Sequence, residues 1–186
     1  MTTGHLTDGK IYLRALEPTD LDLLYRWEND SRLWKDGATI APFSRKLLED
    51  YVNNYEPDIF IARQLRLMVC LSEGDIAIGA VDLYDFDPRN SRCGVGLLID
   101  EDFRGRGYAT ESLTLTAEYC RQHLGLHQLY AVAGVNNQAS RSSFESAGFR
   151  ISGRLRSWIK DGVSYSDAYF MQLLLTRPSV SSATAE

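Results

Sequence analysis

The chain has 186 residues, 44% of them hydrophobic, and a formal net charge of -5, so one soluble globular domain with a full core is expected. It contains no apolar run of about 18 residues and no signal-peptide pattern at its start, which predicts a cytoplasmic protein without membrane contact. Its scattered lysines and arginines argue against nucleic-acid binding, whereas the negative charge suits a cationic substrate.

The residue pattern in the first half of the chain predicts one strand, two helices and then three strands. Alternating apolar residues indicate a strand at 10–16, followed by turn and capping residues. Apolar residues at helical spacing indicate a helix that begins at Leu21 and a second helix at 44–53. Three further strands are predicted at 59–62, 66–72 and 75–85.

Strands and helices alternate in the second half of the chain. A buried strand at 95–99 precedes a long helix, which begins near Ala109 and is closed by Gly125. A strand at 126–133 leads to a short helix capped by Asn137. Beyond that helix a terminal hairpin is predicted, with arms at 149–159 and 163–174 and a turn at Lys160-Asp161-Gly162.

The segment between the strand at 95–99 and the long helix is rich in glycine and arginine. Gly105 and Gly107 let the backbone approach a ligand closely, and free N–H groups at the helix start favour an anion. Arg104 and Arg106 add positive charge. The segment therefore predicts a pyrophosphate site, although it matches neither a dinucleotide fingerprint nor a P-loop.

Three cysteines, Cys70, Cys93 and Cys120, show no metal-ligand spacing. An odd count without a secretory signal also argues against a disulfide framework. We expect buried thiols and no metal site.

Two motifs resemble signatures of the GCN5-related N-acetyltransferase (GNAT) family. Residues 104–109 read Arg-x-x-Gly-x-Ala, which resembles the acetyl-CoA signature of that family. Downstream, the short helix between Asn137 and Gly148-Phe149 resembles the second signature. Tyr12-Leu13-Arg14, residues 107–111 and the final hairpin are most similar to the branch of ribosomal-protein alanine N-acetyltransferases and bacterial spermidine N-acetyltransferases.

This resemblance implies an α/β (α+β) fold, with a mixed central sheet whose splayed strands surround an acetyl-CoA cleft and with a C-terminal hairpin. It implies a single domain at 1–174, and the polar residues 175–186 are expected to form a flexible tail. The implied activity is direct transfer of an acetyl group from acetyl-CoA to a primary amine in a ternary complex. The implied cofactor contacts are Leu97, Leu98, Ile99, Arg104, Gly105, Arg106, Gly107, Tyr108, Ala109, Thr110, Asn137, Ser140 and Phe144.

A primary ammonium has an ordinary pKa near ~10.4, so amine acetylation needs a group that takes its proton. The family commonly uses a carboxylate on a central strand, and Asp82 and Asp85 are the nearest matches. A regular strand would place these two residues on opposite faces, which favours Asp82 as the base. The alternative is that both are ordinary surface carboxylates.

The departing thiolate also needs a proton. Many relatives supply it from a tyrosine seven residues after the motif asparagine, but that position is Phe144, which cannot donate one. By resemblance to the ribosomal-protein branch, Ser140 is the candidate acid. The alternative for Ser140 is a capping role at the helix start.

A polyamine such as spermidine is the first expectation for the acceptor. The implied substrate contacts are Glu28, Asp30, Trp34, Asp82 and Asp167. Asp167 has an alternative role as the partner of Arg154 or Arg156. Other acceptors left open are a protein N-terminus and an amino sugar, and a different class of function is a catalytically silent CoA-binding sensor. The aromatic residues Trp34 and Trp158 are candidates for an interface in a homo-oligomer.

Overall fold

A computed structural model describes residues 6–34, 37 and 39–175. They form a seven-stranded sheet in the order β1-β2-β3-β4-β5-β7-β6, in which only β4 and β5 are parallel neighbours. The strands are β1 Ile11–Ala15, β2 Leu65–Leu71, β3 Ala77–Asp87, β4 Arg92–Ile99, β5 Gln128–Gly134, β6 Arg150–Asp161 and β7 Ser164–Leu174. The helices are α1 Leu21–Glu28, α2 Arg45–Asn53, α3 Ile59–Ala62, α4 Tyr108–Gln122 and α5 Gln138–Ser146.

Helices pack on both faces of the sheet. On the α1 face, Leu24 and Trp27 of α1 and Val52 of α2 pack with Met68 and Ala80. On the opposite α4 face, Leu113 and Cys120 of α4 and Phe144 of α5 join a larger core that includes Val69, Val81 and Val95. Every strand residue of the α1-face core belongs to β1, β2, β3 or β4, so this core does not extend over β5, β7 and β6.

The parallel pair β4–β5 is joined only at its start. Pairing covers Arg92 to Gly94 on β4, opposite Gln128 to Tyr130 on β5. Beyond this point β4 runs on to Ile99, while β5 stays paired with β7 as far as Gly134. The two strands therefore splay apart, as the family resemblance implies, and one backbone edge of β4 faces the gap.

The prediction of a strand at residues 59–62 is wrong. These residues form the single turn α3, whose first turn is capped by the Asp58 carboxylate through the Phe60 N–H at 2.8 Å. Arg63, with a φ of 59°, ends the turn. Four consecutive apolar residues fit a short helix as well as a strand, and the capping aspartate decides between them.

The predicted ends at Gly148 after α5 and at Gly162 in the hairpin turn are confirmed, whereas α4 ends at Gln122 with His123 as its cap residue, before the predicted Gly125. Gly125, Gly148 and Gly162 have φ values of 62°, 93° and 61°, in the left-handed region that glycine tolerates. After Gly148, the Phe149 N–H returns to the Phe144 carbonyl at 3.0 Å, which closes α5.

The prediction that residue 175 belongs to a flexible tail is wrong. Leu175 is buried in the core, and its N–H donates to the His127 carbonyl at 2.8 Å. The rest of that tail, residues 176–186, lies outside the described residues. Within the described part of the chain, no helix is long and apolar enough to cross a membrane.

Asp100, directly after β4, ties α1 to the sheet. Its carboxylate accepts hydrogen bonds from Trp27 Nε1 at 2.8 Å and the Asp102 N–H at 3.3 Å, and it pairs with Arg26. Burial opposes its charge, but these donors outweigh burial and lower the pKa of Asp100.

Because the folded pKa of Asp100 is lowered, its contribution to stability is complete above the unfolded value of ~3.9 and is lost as the pH falls through the folded pKa. We expect Asp100→Asn to lose less unfolding free energy than the wild type between about pH 5 and pH 2. Urea unfolding across that range measures the difference, and equal losses would contradict it.

Candidate active site

The cofactor loop, which comprises residues 100–107 between β4 and α4, carries two arginines and backbone N–H groups that have no hydrogen-bond partner among the described residues. Gly105 and Gly107 have φ values of 73° and 86°, and a Cβ on either would meet nothing within 4 Å. Glycine is therefore required by backbone conformation rather than by crowding. Gly107 occupies the N-cap position of α4 without a side-chain cap, which leaves the first N–H groups of a 15-residue helix open to a ligand.

The two arginines of this loop are held by backbone carbonyls. Arg104 Nε donates to the Ile99 carbonyl at 2.9 Å, and an Arg106 guanidinium nitrogen donates to the Asp102 carbonyl at 3.0 Å. The Arg106 guanidinium also lies over the Phe103 ring, 5.6 Å from its centre. Among the described residues neither guanidinium forms an ion pair, so both positive charges are available to an anion.

We expect Arg106→Ala to weaken the binding of CoA about 10- to 150-fold, because a charge-assisted hydrogen bond to phosphate is worth about 1.5–3 kcal/mol. Calorimetric titration with CoA measures the change. Arg121→Ala is the matched control, since Arg121 lies in the last turn of α4 and is paired with Glu118. Equal affinity in the Arg106 and Arg121 variants would exclude this role for the loop.

The edge of β4 that faces the gap carries hydrogen-bond donors. The Asp100 N–H donates to the Ile78 carbonyl of β3 at 2.8 Å. Successive N–H groups of a strand point in opposite directions. The Leu98 N–H therefore also donates toward β3, whereas the N–H groups of Leu97 and Ile99 point into the gap. Of the three predicted cofactor contacts on β4, Leu97 and Ile99 present backbone donors to the gap, and the Leu98 side chain packs on the α1 face.

The second signature forms the start of α5. Asn137 caps the helix, with its side-chain oxygen accepting from the Ser140 N–H at 3.0 Å. The capping residue is therefore Asn137 and not Ser140, whose half-buried hydroxyl forms no hydrogen bond within the described part of the chain. Phe144 is buried, with its ring 5.0 Å from that of Phe149, so this side chain belongs to the core.

Asp82 lies on the α1 face, in a cluster of three charges. Arg66 Nε and a second guanidinium nitrogen donate to its two oxygens at 2.6 and 2.9 Å, and the third nitrogen donates to Glu28 at 2.8 Å. Burial opposes the Arg66 charge, but Asp82 and Glu28 outweigh it and raise the pKa of Arg66. The cluster carries one net negative charge, and the Asp82 side chain is 41% exposed.

Asp85 lies on the same face as Asp82, so the prediction of opposite faces is wrong. The pairing of β3 with β4 is irregular between Tyr84 and Asp87, and Asp85 has a φ of 49°. The Tyr130 hydroxyl, on the open part of the α1 face, donates to Asp85 at 3.3 Å, while Phe86 turns into the α4-face core. A β-bulge has broken the two-residue alternation on which the prediction relied.

The other predicted substrate contacts have partners within the protein. Asp30 is paired with Arg32, and Trp34 Nε1 donates to the Glu28 carbonyl at 2.9 Å. Asp167 takes the alternative role: it accepts from Arg154 at 2.6 Å and from the Ser157 N–H at 2.8 Å. These bonds hold a bulge in β6 and lower the pKa of Asp167.

Two cavities flank the splayed strands. One of about 250 Å³ lies between α1 and the cofactor loop, and Trp27, Asp30, Leu98, Asp100 and Arg104 are among its walls. The other, of about 410 Å³, lies between the start of α5 and the hairpin and includes Gly134, Asn137, Ile159, Asp161 and Ser166. Within residues 6–34, 37 and 39–175, no group of side chains has the composition of a metal site.

Comparison with known proteins agrees with this geometry. Residues 10–150 match the family model of the acetyltransferase (GNAT) domain. The chain is 23% identical over 173 residues to the uncharacterized N-acetyltransferase YnaD of Bacillus subtilis, covering 91% of this chain and 96% of YnaD. It is 25% identical over 172 residues to the putative ribosomal N-acetyltransferase YdaF of the same organism, covering 88% and 91%. A crystal structure of spermidine N-acetyltransferase from Vibrio cholerae in complex with CoA and spermine has a TM-score of 0.80 at 24% identity, covering 90% of this chain and 97% of that one.

The chain belongs to the GNAT family, and it is an N-acetyltransferase that uses acetyl-CoA. Its residues fit this co-substrate. The uncapped start of α4 suits the pyrophosphate, and so do Arg104 and Arg106, which form no ion pair with any described residue. The Ile99 N–H, at the end of β4 nearer the loop, suits the extended amide-containing arm, which can hydrogen-bond to an open strand edge.

Proposed function

We propose that this chain transfers the acetyl group directly to a primary amine on the α1 face of the splayed strands, and that the amine belongs to a polyamine such as spermidine. The observation that carries the proposal is the Glu28–Arg66–Asp82 cluster, whose net negative charge lies beside β4. Asp82 is the register partner of Gly96, one residue from Leu97. A cationic amine is thereby attracted to the strand edge that offers backbone donors.

Asp82 can serve the amine while it stays paired with Arg66. A carboxylate has about four acceptor positions, and Arg66 uses one on each oxygen, so each oxygen can still accept from an ammonium group. In the proposed step Asp82 takes one proton from the ammonium group, directly or through water, which frees the nitrogen lone pair for attack, and the nitrogen releases a second proton to water as the new N–C bond forms. Arg66 positions the carboxylate.

The backbone N–H of Leu97, which follows the register partner of Asp82, stabilises negative charge on the acetyl oxygen. Acetyl-CoA supplies the activated thioester, and the C–S bond breaks as the N–C bond forms. Ser140 is the proposed donor of the proton that the thiolate requires, because its hydroxyl lies in the first turn of α5 and Phe144 cannot donate.

Spermidine acetyltransferases among the relatives support a polyamine as acceptor. The Vibrio cholerae protein, whose structure contains spermine, has also been solved as a dodecamer. We extend the proposal to a cytoplasmic homo-oligomer, in which the hairpin supplies interface residues: Trp158 and Tyr165 are each 60% exposed there. Sedimentation of the purified protein distinguishes a monomer from an oligomer.

The proposal is tested by the thiol released from acetyl-CoA in the presence of single acceptors. The set consists of spermidine, spermine, short diamines, amino sugars and peptides with a free N-terminus. We expect the polyamines and diamines to give the highest kcat/KM. Selective release with the peptides or amino sugars would replace the proposed acceptor, and no release with any amine, with CoA binding intact, would contradict amine acetylation.

A further inference from the structure

The bulge in β3 places a second carboxylate on the substrate face. Leu83 belongs to the α4-face core, Tyr84 and Asp85 are directed to the α1 face, and Phe86 returns to the core. Asp85 lies at a positive φ, a conformation that is uncommon outside glycine and that often occurs at functional sites. Three residues of extended chain separate Asp85 from Asp82 by at most about 10 Å.

Three aromatic rings lie beside Asp85. The Tyr84 ring covers Gly94, where a Cβ would lie only 2.3 Å from a ring carbon. Tyr84 and Tyr130 form an edge-to-face pair with 5.9 Å between ring centres, and Phe170 stacks on Tyr130 at 5.3 Å. All three residues are half-buried, and the α1-face core does not extend over them.

Asp85 differs from most other aspartates near the site in its charge balance. Asp30, Asp82, Asp100 and Asp167 each form an ion pair with an arginine. Among the described residues, no arginine, lysine or histidine forms an ion pair with Asp85, whose hydrogen-bond partner is the neutral Tyr130 hydroxyl. Burial and the Asp85 charge raise the pKa of Tyr130, so the phenol keeps its proton at neutral pH.

We propose that Asp85 and the aromatic surface of Tyr84, Tyr130 and Phe170 bind the second ammonium group of a diamine or longer polyamine while the reacting amine lies at Asp82. An uncompensated carboxylate beside aromatic faces attracts a cation through charge and through the ring quadrupoles. The methylene chain between the two amines packs on the rings. The inference rests on the proposed function, because it takes Asp82 as the position of the reacting amine.

The test compares 1,4-diaminobutane with butylamine, which lacks the second ammonium group. Binding of each amine to the CoA-loaded protein is measured by calorimetry, and turnover is measured by thiol release. We expect the wild type to prefer the diamine, and Asp85→Asn to reduce this preference about fivefold, as expected for a partly exposed charge pair. Asparagine tolerates a positive φ, so the bulge is expected to be retained.

Two further variants separate the contributions of the Asp85 charge and of the aromatic rings from the general effect of removing a negative charge. Tyr130→Leu removes the central ring and is expected to reduce the diamine preference as well. Glu73→Gln removes an equal charge from an exposed residue in the β2–β3 turn and is expected to leave the preference unchanged. A preference that is equal in Asp85→Asn and the wild type, or that falls as far in Glu73→Gln, would overturn the inference.

The two readouts also distinguish this inference from the proposed function. Diamine-selective binding that depends on Asp85, without thiol release, would support the ammonium subsite and contradict amine acetylation. Thiol release with equal binding and turnover of the two amines would support acetylation and exclude the subsite.

Discussion

Asp82→Asn is expected to lower kcat/KM for amine acetylation by about 100- to 10,000-fold, the range for loss of a group that takes a proton in the transition state. Asparagine keeps the shape of the side chain but cannot take the amine proton. It also removes the net negative charge of the cluster, since Arg66 is then balanced by Glu28 alone. Steady-state thiol release with the preferred amine measures the effect.

Two controls accompany Asp82→Asn: its own affinity for CoA and the activity of a second variant. The Kd for CoA is expected to remain at the wild-type value, because the ion-pair partner of Asp82 among the described residues is Arg66 and not an arginine of the cofactor loop. Glu73→Gln, at an exposed residue in the β2–β3 turn, is expected to keep full activity. An Asp82→Asn enzyme with a kcat/KM similar to that of Glu73→Gln would exclude Asp82 as the base.

Gly79→Ala is expected to cost about 3 kcal/mol in unfolding free energy, near the upper end of the range for overpacking a core. An added Cβ would lie 2.2 Å from the Leu98 carbonyl oxygen and 2.9 Å from Ile99 Cδ1. The first of these contacts is with backbone, so β3 and β4 would have to move apart. Urea unfolding with an unchanged m value measures the loss.

The position of Gly79 also links this variant to function. Gly79 is the register partner of Ile99, one of the two residues whose N–H groups face the gap. We therefore expect weaker CoA binding as well as lower stability. Gly153→Ala is the control, because its Cβ would make an ordinary 4.0 Å contact with Phe170. A loss in Gly79→Ala no larger than in Gly153→Ala would show that β3 and β4 absorb the extra methyl group.

The cofactor loop could be predicted from the sequence because its chemistry is local. Glycines at 105 and 107, arginines beside them and a helix start in the next residues are contiguous, and the structure arranges them as expected. The cap of α5 at Asn137 is local in the same way. In both places a few neighbouring residues contain the whole physical argument.

The proposed binding site for the amine acceptor depends on contacts between distant segments, and these contacts were harder to predict. The sequence analysis missed Arg66. This residue lies two positions before the buried Met68 and therefore on the same helix-covered face, where a charge requires a partner. The bulge at Asp85 was also missed, since a two-residue period assumes a regular strand. The role of Asp167 also depends on a contact between separate strands, because Arg154 reaches it only across the hairpin pairing.

The most direct test of acetyl transfer follows an isotope-labelled acetyl group. Protein, labelled acetyl-CoA and 1,4-diaminobutane are incubated together, and all products are identified by mass spectrometry. Direct transfer predicts that the label appears on an amine nitrogen of the diamine, that it does not accumulate on the protein, and that the yield falls in Asp82→Asn. Label found only in free acetate or on a protein side chain would contradict the account.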